Sequence, residues 1–207
     1  MFPDKVFLAS KSPRRLELLN FCFKKVQQIN SLREEPLWNG VESAREYLKR
    51  CIEVKSLGAE EAYEKILKKE ASFAWSLVVS ADTIVVLDER VFGKPESSQH
   101  SIKMLQEMSG REHKVLTAYA LSLFKGKEKK TAYIDVSSTG VKFRKLKLSE
   151  IKTYVKTGEP LDKSGSYGVQ GPAMQFVEKV AGSYQSVMGI PLYAIQSKLK
   201  EWEREYL

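Results

Sequence analysis

Cysteine and histidine are scarce in this chain of 207 residues: Cys22, Cys51, His100 and His113 are all it has. The cysteines form neither a CxxC pair nor a Cys/His spacing, which excludes a disulfide framework and a zinc finger-like site. Two histidines give little material for a Ser/His/Asp or Cys/His hydrolase, and His113, at the mouth of an apolar strand, reads as structural. A Walker P-loop and a GxGxxG turn are both missing, so the common glycine-rich phosphate cradles are absent. There is no run of about 18 apolar residues, and the segment Met1-Phe2-Pro3-Asp4-Lys5 carries no apolar leader. From these absences we expect a soluble, cytoplasmic protein in a reducing compartment, with no membrane partner. Repeats, low-complexity tracts and long linkers are missing too, so one α/β unit of two lobes over residues 1–207 is expected.

What is present in excess is positive charge, a formal +8 from 34 Lys and Arg against 26 Asp and Glu. That excess suggests an anionic partner without saying which. Between Phe124 and Lys163 there are eleven basic against five acidic residues. They are spread over predicted strands and a helix without interleaved aromatics, which does not favour a nucleic-acid surface.

The apolar pattern predicts a strand over Val6–Ala9, then a helix that Ser12 caps and Pro13 opens, with Leu16 and Leu19 facing inward. A helix from Ser43 carries Ala44, Tyr47, Leu48 and Cys51, and the pattern resumes after Gly58 through Ala62, Ile66 and Leu67. Leu77–Leu87 reads as a buried strand turning back at Asp88-Glu89 to Val91-Phe92. A helix from Ser97 or Ser98 precedes two long strands, Lys114–Phe124 and Thr131–Phe143, joined by a polar turn. A short helix ends at Gly158. The stretch from Gly158 to Gly171 reads as a loop, and a last helix entered at Pro191 buries Leu192, Ile195, Leu199 and Trp202.

Four places could carry chemistry. Arg14 and Arg15 sit in the first turn of a helix, where cations are disfavoured unless an anion binds the free amides, and Ser10 and Ser12 add hydroxyls there. Asp82 and Thr83 interrupt an apolar strand; a carboxylate so placed needs a partner, and it could bind Mg²⁺ or take a proton from water. Lys55 falls on the inward stripe of Ala44, Leu48 and Cys51, and Lys94 sits in a Gly-Pro turn, so both could clamp phosphate. In the Gly158–Gly171 loop, Tyr167 offers a stacking face and Gln170 an amide able to read a base edge.

Five segments in this order resemble the Maf family of nucleoside triphosphate pyrophosphatases. They are Leu8-Ala9-Ser10-x-Ser12-Pro13-Arg14-Arg15-x-Glu17-Leu18-Leu19, Ser80-Ala81-Asp82-Thr83-Ile84-Val85, Gly93-Lys94-Pro95, Glu159-Pro160-x-Asp162-Lys163-x-Gly165-x-Tyr167-Gly168-x-Gln170-Gly171, and Gly182-Ser183-Tyr184 with Gly189-Ile190-Pro191-Leu192. The resemblance implies a central mixed sheet flanked by helices, two lobes with a nucleotide cleft between them as in inosine triphosphatases, and a homodimer. It implies cleavage of a nucleoside triphosphate between the α- and β-phosphates, with Mg²⁺ or Mn²⁺ as cofactor. By motif match Asp82 becomes the proton acceptor and, with Glu35, a metal ligand. Ser10, Arg15, Lys55 and Lys94 become triphosphate ligands. Arg14, Thr83 and Gln170 stand where the dTTP/UTP branch carries Arg, Thr and Gln and a 7-methyl-GTP branch carries Trp, Gln and Glu, which favours dTTP and UTP. The alternatives are 7-methyl-GTP as substrate, or a nucleotide-binding regulator of septum formation. Pro172, Met174 and Gln175 depart from the family pattern and are expected to reshape the cleft wall.

Overall fold

The computed structural model describes residues 2–69 and 73–207. Its frame is one seven-stranded mixed sheet. In chain order the elements are β1 (Lys5–Ala9), α1 (Pro13–Cys22), β2 (Val26–Ile29), α2 (Ala44–Leu67), β3 (Trp75–Leu87), β4 (Arg90–Phe92) and α3 (Ser98–Met108). There follow β5 (Glu112–Lys125), β6 (Glu128–Phe143), α4 (Leu148–Lys156), β7 (Val177–Ala181), the short α5 (Tyr184–Val187) and α6 (Leu192–Tyr206). The strands lie in the order β2-β1-β3-β5-β6-β7, with β4 also paired to β3. β1 runs parallel to β2 and β3, and every other pairing is antiparallel.

β3 shows why the sheet carries helices on both faces. Its alternate residues Trp75, Leu77, Val79 and Ala81 pack with α1 and α6, and Val85 and Leu87 pack with α3 and α4. Val78, Ile84 and Val86 point the other way, into clusters built with α2. A strand buried on two faces has no polar side, which is why it reads as a near-continuous apolar run.

Several boundaries differ from the sequence expectation. α2 is one helix, opened by a capping box between Ser43 and Glu46, and it continues through Gly58. Gly58 is where the loop after β2 crosses the helix: a Cβ there would lie 2.3 Å from Ser31 Oγ and 2.6 Å from the Arg33 amide nitrogen. In α1 it is Leu18 and Leu19 that are buried, while Leu16 is half-buried at the rim of the same cluster. The β5–β6 turn is shorter than expected, because pairing runs out to Lys125 and Glu128. β2 and β7 do not stand out in the apolar pattern; their exposed or half-buried faces, Val26-Gln27-Gln28 and Glu178-Lys179, dilute the signal.

Candidate active site

The sheet makes its own opening. β1 follows β3 only as far as the Ala9–Ser80 pair, and β4 takes up the same edge of β3 again at the Val85–Phe92 pair. Between them, among the described residues, Ala81 to Ile84 have no strand on that side, although β5 pairs with them on the other. A cleft of about 810 Å³ lies along this gap. Side chains satisfy the carbonyl groups so freed: Arg15 Nη1 donates to Ala81 O at 2.7 Å, and Ser164 Oγ donates to Thr83 O at 3.0 Å.

Because side chains alternate along a strand, Asp82 and Thr83 leave β3 on opposite faces. Asp82 is on the side of α2, where Lys55 arrives three turns into the helix. Protein surrounds the Asp82 carboxyl except where it meets the cleft. Burial raises its pKa, with Glu35 acting in the same direction and the charges of Lys55 and Arg15 opposing. The Lys55 side chain is 12% exposed, and its Nζ lies 2.5 Å from Glu35 Oε1. Cys51, on the same stripe, bonds through Sγ to Pro36 O at 3.6 Å, so α2 fixes the segment that delivers Glu35.

Thr83 is on the side of α1. There Ser12 caps the helix by accepting from the Arg15 amide at 3.4 Å, and Ser10 Oγ accepts from the Ser12 amide at 3.2 Å. The Arg15 guanidinium donates to Ser10 Oγ at 3.2 Å, to Thr83 Oγ1 at 3.0 Å and, through Nε, to Gly189 O at 3.0 Å. Desolvation lowers its pKa, and Asp82 and Glu35 pull the other way. Arg14 turns toward the fourth motif, with Nη1 2.9 Å from the place a Cβ on Gly168 would take. Two cations at the positive end of a helix repel it, so an anion in the cleft relieves an unfavourable field.

The nine residues that the resemblance assigns to the site all line this one cleft: Ser10, Arg14, Arg15, Glu35, Lys55, Asp82, Thr83, Lys94 and Gln170. Lys94 and Gln170 are exposed on its rim, and the segment that carries Gln170 contains two short 3₁₀ turns in place of the expected irregular loop. Asp162 and Lys163 also line it and were not singled out, although they stand inside the same motif. Lys163 Nζ donates to Asp162 Oδ1 at 2.5 Å and to Glu159 O at 3.1 Å. Two expectations fail. Tyr167 offers no stacking face: it is buried, edge-on to Phe143, with its hydroxyl on His113 Nε2 at 2.8 Å. Pro172, Met174 and Gln175 do not line the cleft at all; they belong to a 3₁₀ turn that buries Ala173 and Phe176.

Lysine and arginine side chains gathered round a buried carboxyl suit the class of hydrolases that act on phosphoanhydrides. The comparison with known sequences narrows this: residues 5–202 match the Maf-like protein family, and the chain belongs to it. A dTTP/UTP pyrophosphatase of Photorhabdus laumondii is 42% identical over 192 residues, covering 90% of this chain and 88% of that protein. Proteins of the same name from Hydrogenovibrio crunogenus and Thermococcus kodakarensis are each 38% identical; the first covers 95% of both chains and the second 94% of both. Among solved structures, the Staphylococcus aureus Ham1 protein aligns over 95% of this chain and 98% of that one, at 14% identity and a TM-score of 0.46, too loosely to bear on the site.

Proposed function

We propose that this protein hydrolyses nucleoside triphosphates, dTTP and UTP above others, between the α- and β-phosphates, releasing the monophosphate and pyrophosphate. The observation that carries the reading is the placement of Asp82 at the interruption of the sheet edge, with its pKa raised by burial and cations on both flanks. A carboxylate of raised basicity accepts a proton from water more readily, and Lys55 and Arg15 attract the polyphosphate toward it. Ser10, Arg15, Lys55 and Lys94 hold the phosphates. Arg14 and Gln170, farther along the cleft toward the fourth motif, meet the nucleoside, where an amide both donates to and accepts from a uracil or thymine edge.

The donor set fits a divalent cation, Mg²⁺ or Mn²⁺. Glu35 is near enough to help raise the pKa of Asp82, and hard carboxylate oxygens suit such ions. Among the described residues no three His, Cys, Asp or Glu side chains gather, so phosphate oxygens and water would complete the shell. When bound, the cation neutralises charge on the phosphates. A single catalytic domain, a homodimer and a cytoplasmic location complete the proposal. The free thiols of Cys22 and Cys51 and the lack of any helix among the described residues long and apolar enough to cross a membrane are compatible with it.

A panel of nucleoside triphosphates, assayed for pyrophosphate with Mg²⁺ or Mn²⁺, tests the reading. We expect the highest kcat/KM for dTTP and UTP, and a loss of at least about a hundredfold in Asp82→Asn, the range of a lost general base. Release of orthophosphate alone, or no turnover of any nucleotide, would sink it.

A further inference from the structure

The fifth sequence motif, Gly182 to Leu192, holds none of the residues given a role above, yet it reaches the site from behind. Arg15 has five N–H donors, and the protein takes four of them: Nε to Gly189 O, Nη1 to Ser10 Oγ and Ala81 O, and Nη2 to Thr83 Oγ1. Among the described residues no partner takes the second Nη2 hydrogen, which is left for a ligand. Gly189 can come this close because it has no side chain: its φ is +106°, and a Cβ would lie 2.8 Å from Arg15 Nε.

Thr83 is held in its turn. Its Oγ1 lies 3.0 Å from Thr117 Oγ1, and Thr117 Oγ1 donates to Ser186 O at 2.7 Å. Since the Thr117 hydrogen goes to Ser186, the bond between the two threonines runs from Thr83 to Thr117. The order is therefore fixed: Arg15 donates to Thr83, Thr83 to Thr117, and Thr117 to the Ser186 carbonyl. Thr117 and Ser186 have no exposed surface. The acceptor at the end is itself fixed, because the Ser186 amide donates to Ser183 Oγ at 3.1 Å, and Ser186 Oγ lies 2.8 Å from Ser137 Oγ. Thr139 also brackets Ser183, with Oγ1 on its carbonyl at 3.2 Å and on its amide at 3.1 Å.

We propose that Thr117 and the Ser183–Gly189 turn are positioning elements for Arg15, and that the Thr83 hydroxyl serves the reaction through this guanidinium and donates no hydrogen bond to the nucleoside. The inference rests on the proposed function for its substrate. A hydroxyl whose hydrogen is committed to Thr117 has none to offer a base. A guanidinium restrained on four sides meets a phosphate oxygen without first losing rotamer freedom, so the chain's effect falls on every substrate that carries the triphosphate.

The test compares Thr117→Val, Thr83→Val and the double variant with wild type, using dTTP, UTP and GTP, with Thr117→Ser and Thr83→Ser as controls. A lost hydrogen bond to a charged group predicts a fall in kcat/KM of about tenfold or more for Thr83→Val, and Thr117→Val, which unpins Thr83, is expected to fall in the same way. The fall should be the same factor for all three nucleotides, with no further fall in the double variant and most of the loss restored by serine. Losses that multiply in the double variant, a changed dTTP to GTP ratio in Thr83→Val, or unaltered kinetics in Thr117→Val would each overturn the proposal. Pyrophosphate affinity, measured by calorimetry on the same set, reads out the Arg15 clamp without turnover. Wild type that binds pyrophosphate but cleaves nothing thus removes the function while still deciding the clamp.

Discussion

Asp82 sets catalysis against stability at a single residue. Its pKa is raised on folding, above an ordinary 3.8, so the group favours the fold while protonated in both states, and that contribution is lost as pH rises through the folded value. Around neutral pH, ionising Asp82 therefore costs stability. Asparagine keeps the shape and the oxygen that accepts from the Thr83 amide at 3.0 Å, and carries no charge. The variant expected to lose activity should gain in melting temperature near pH 8, and the gain should shrink in acid, as the wild-type carboxyl takes up its proton. Differential scanning calorimetry near pH 8 and in acid checks this; a lower melting temperature at pH 8 would mean that pairing with Lys55 and Arg15 outweighs burial. This residue's placement in the cleft is legible in the sequence, because one carboxylate within an apolar strand is conspicuous. The fourfold use of Arg15 is not, since three of its acceptors come from Ala81, Thr83 and Gly189, far along the chain.

At the level of the element, α2 carries Lys55 and supports the segment that ends in Glu35. Gly58 decides how closely the two approach. In an exposed helix Gly→Ala is worth about 1 kcal/mol of stabilisation. Here the added Cβ would meet the Ser31 hydroxyl and the backbone nitrogens of Leu32 and Arg33, the last two at 2.9 and 2.6 Å. Backbone cannot step aside as a flexible side chain can, and Leu32 N already donates to Gly58 O at 3.1 Å. The overlap should win, so Gly58→Ala is expected to lower stability by about 1 to 3 kcal/mol, the usual range of overpacking. It should also raise the KM of the triphosphate by displacing Glu35. Urea denaturation and steady-state kinetics measure the two effects, and a stabilised variant with unchanged KM would refute this role for Gly58. The same glycine explains why α2 reads as two runs of apolar residues. Local propensity marks Gly58 as a break, and only the loop crossing over it shows why glycine is kept there. By contrast α6 is legible throughout: Leu192, Ile195, Leu199 and Trp202 recur at helical spacing and are all buried.

Across the whole molecule, the sheet joins one hydrophobic cluster under α1 and α6 to another under α3 and α4, and the cleft opens between these lobes. His113 holds together the second. It is 2% exposed, its ring stands edge-on to Phe143 and Tyr167, its Nε2 meets the Tyr167 hydroxyl, and burial pushes its pKa down to about 4 from an ordinary 6.5. A depressed pKa means that the unfolded chain binds the proton more tightly. The contribution is therefore complete above 6.5 and drains away as pH falls through about 4. Over that span the loss amounts to roughly 3 kcal/mol, at about 1.4 kcal/mol for each pH unit crossed. Acidification also adds positive charge to a chain already at +8, which destabilises it by general repulsion. His113→Gln separates the causes: its amide can still meet the Tyr167 hydroxyl but does not titrate, while the net charge at neutral pH is the same. Unfolding free energies measured between about pH 7 and pH 4 should fall less steeply in the variant, by up to roughly 3 kcal/mol across the range. Parallel curves for the two proteins would instead place the acid sensitivity in the charge of the molecule as a whole.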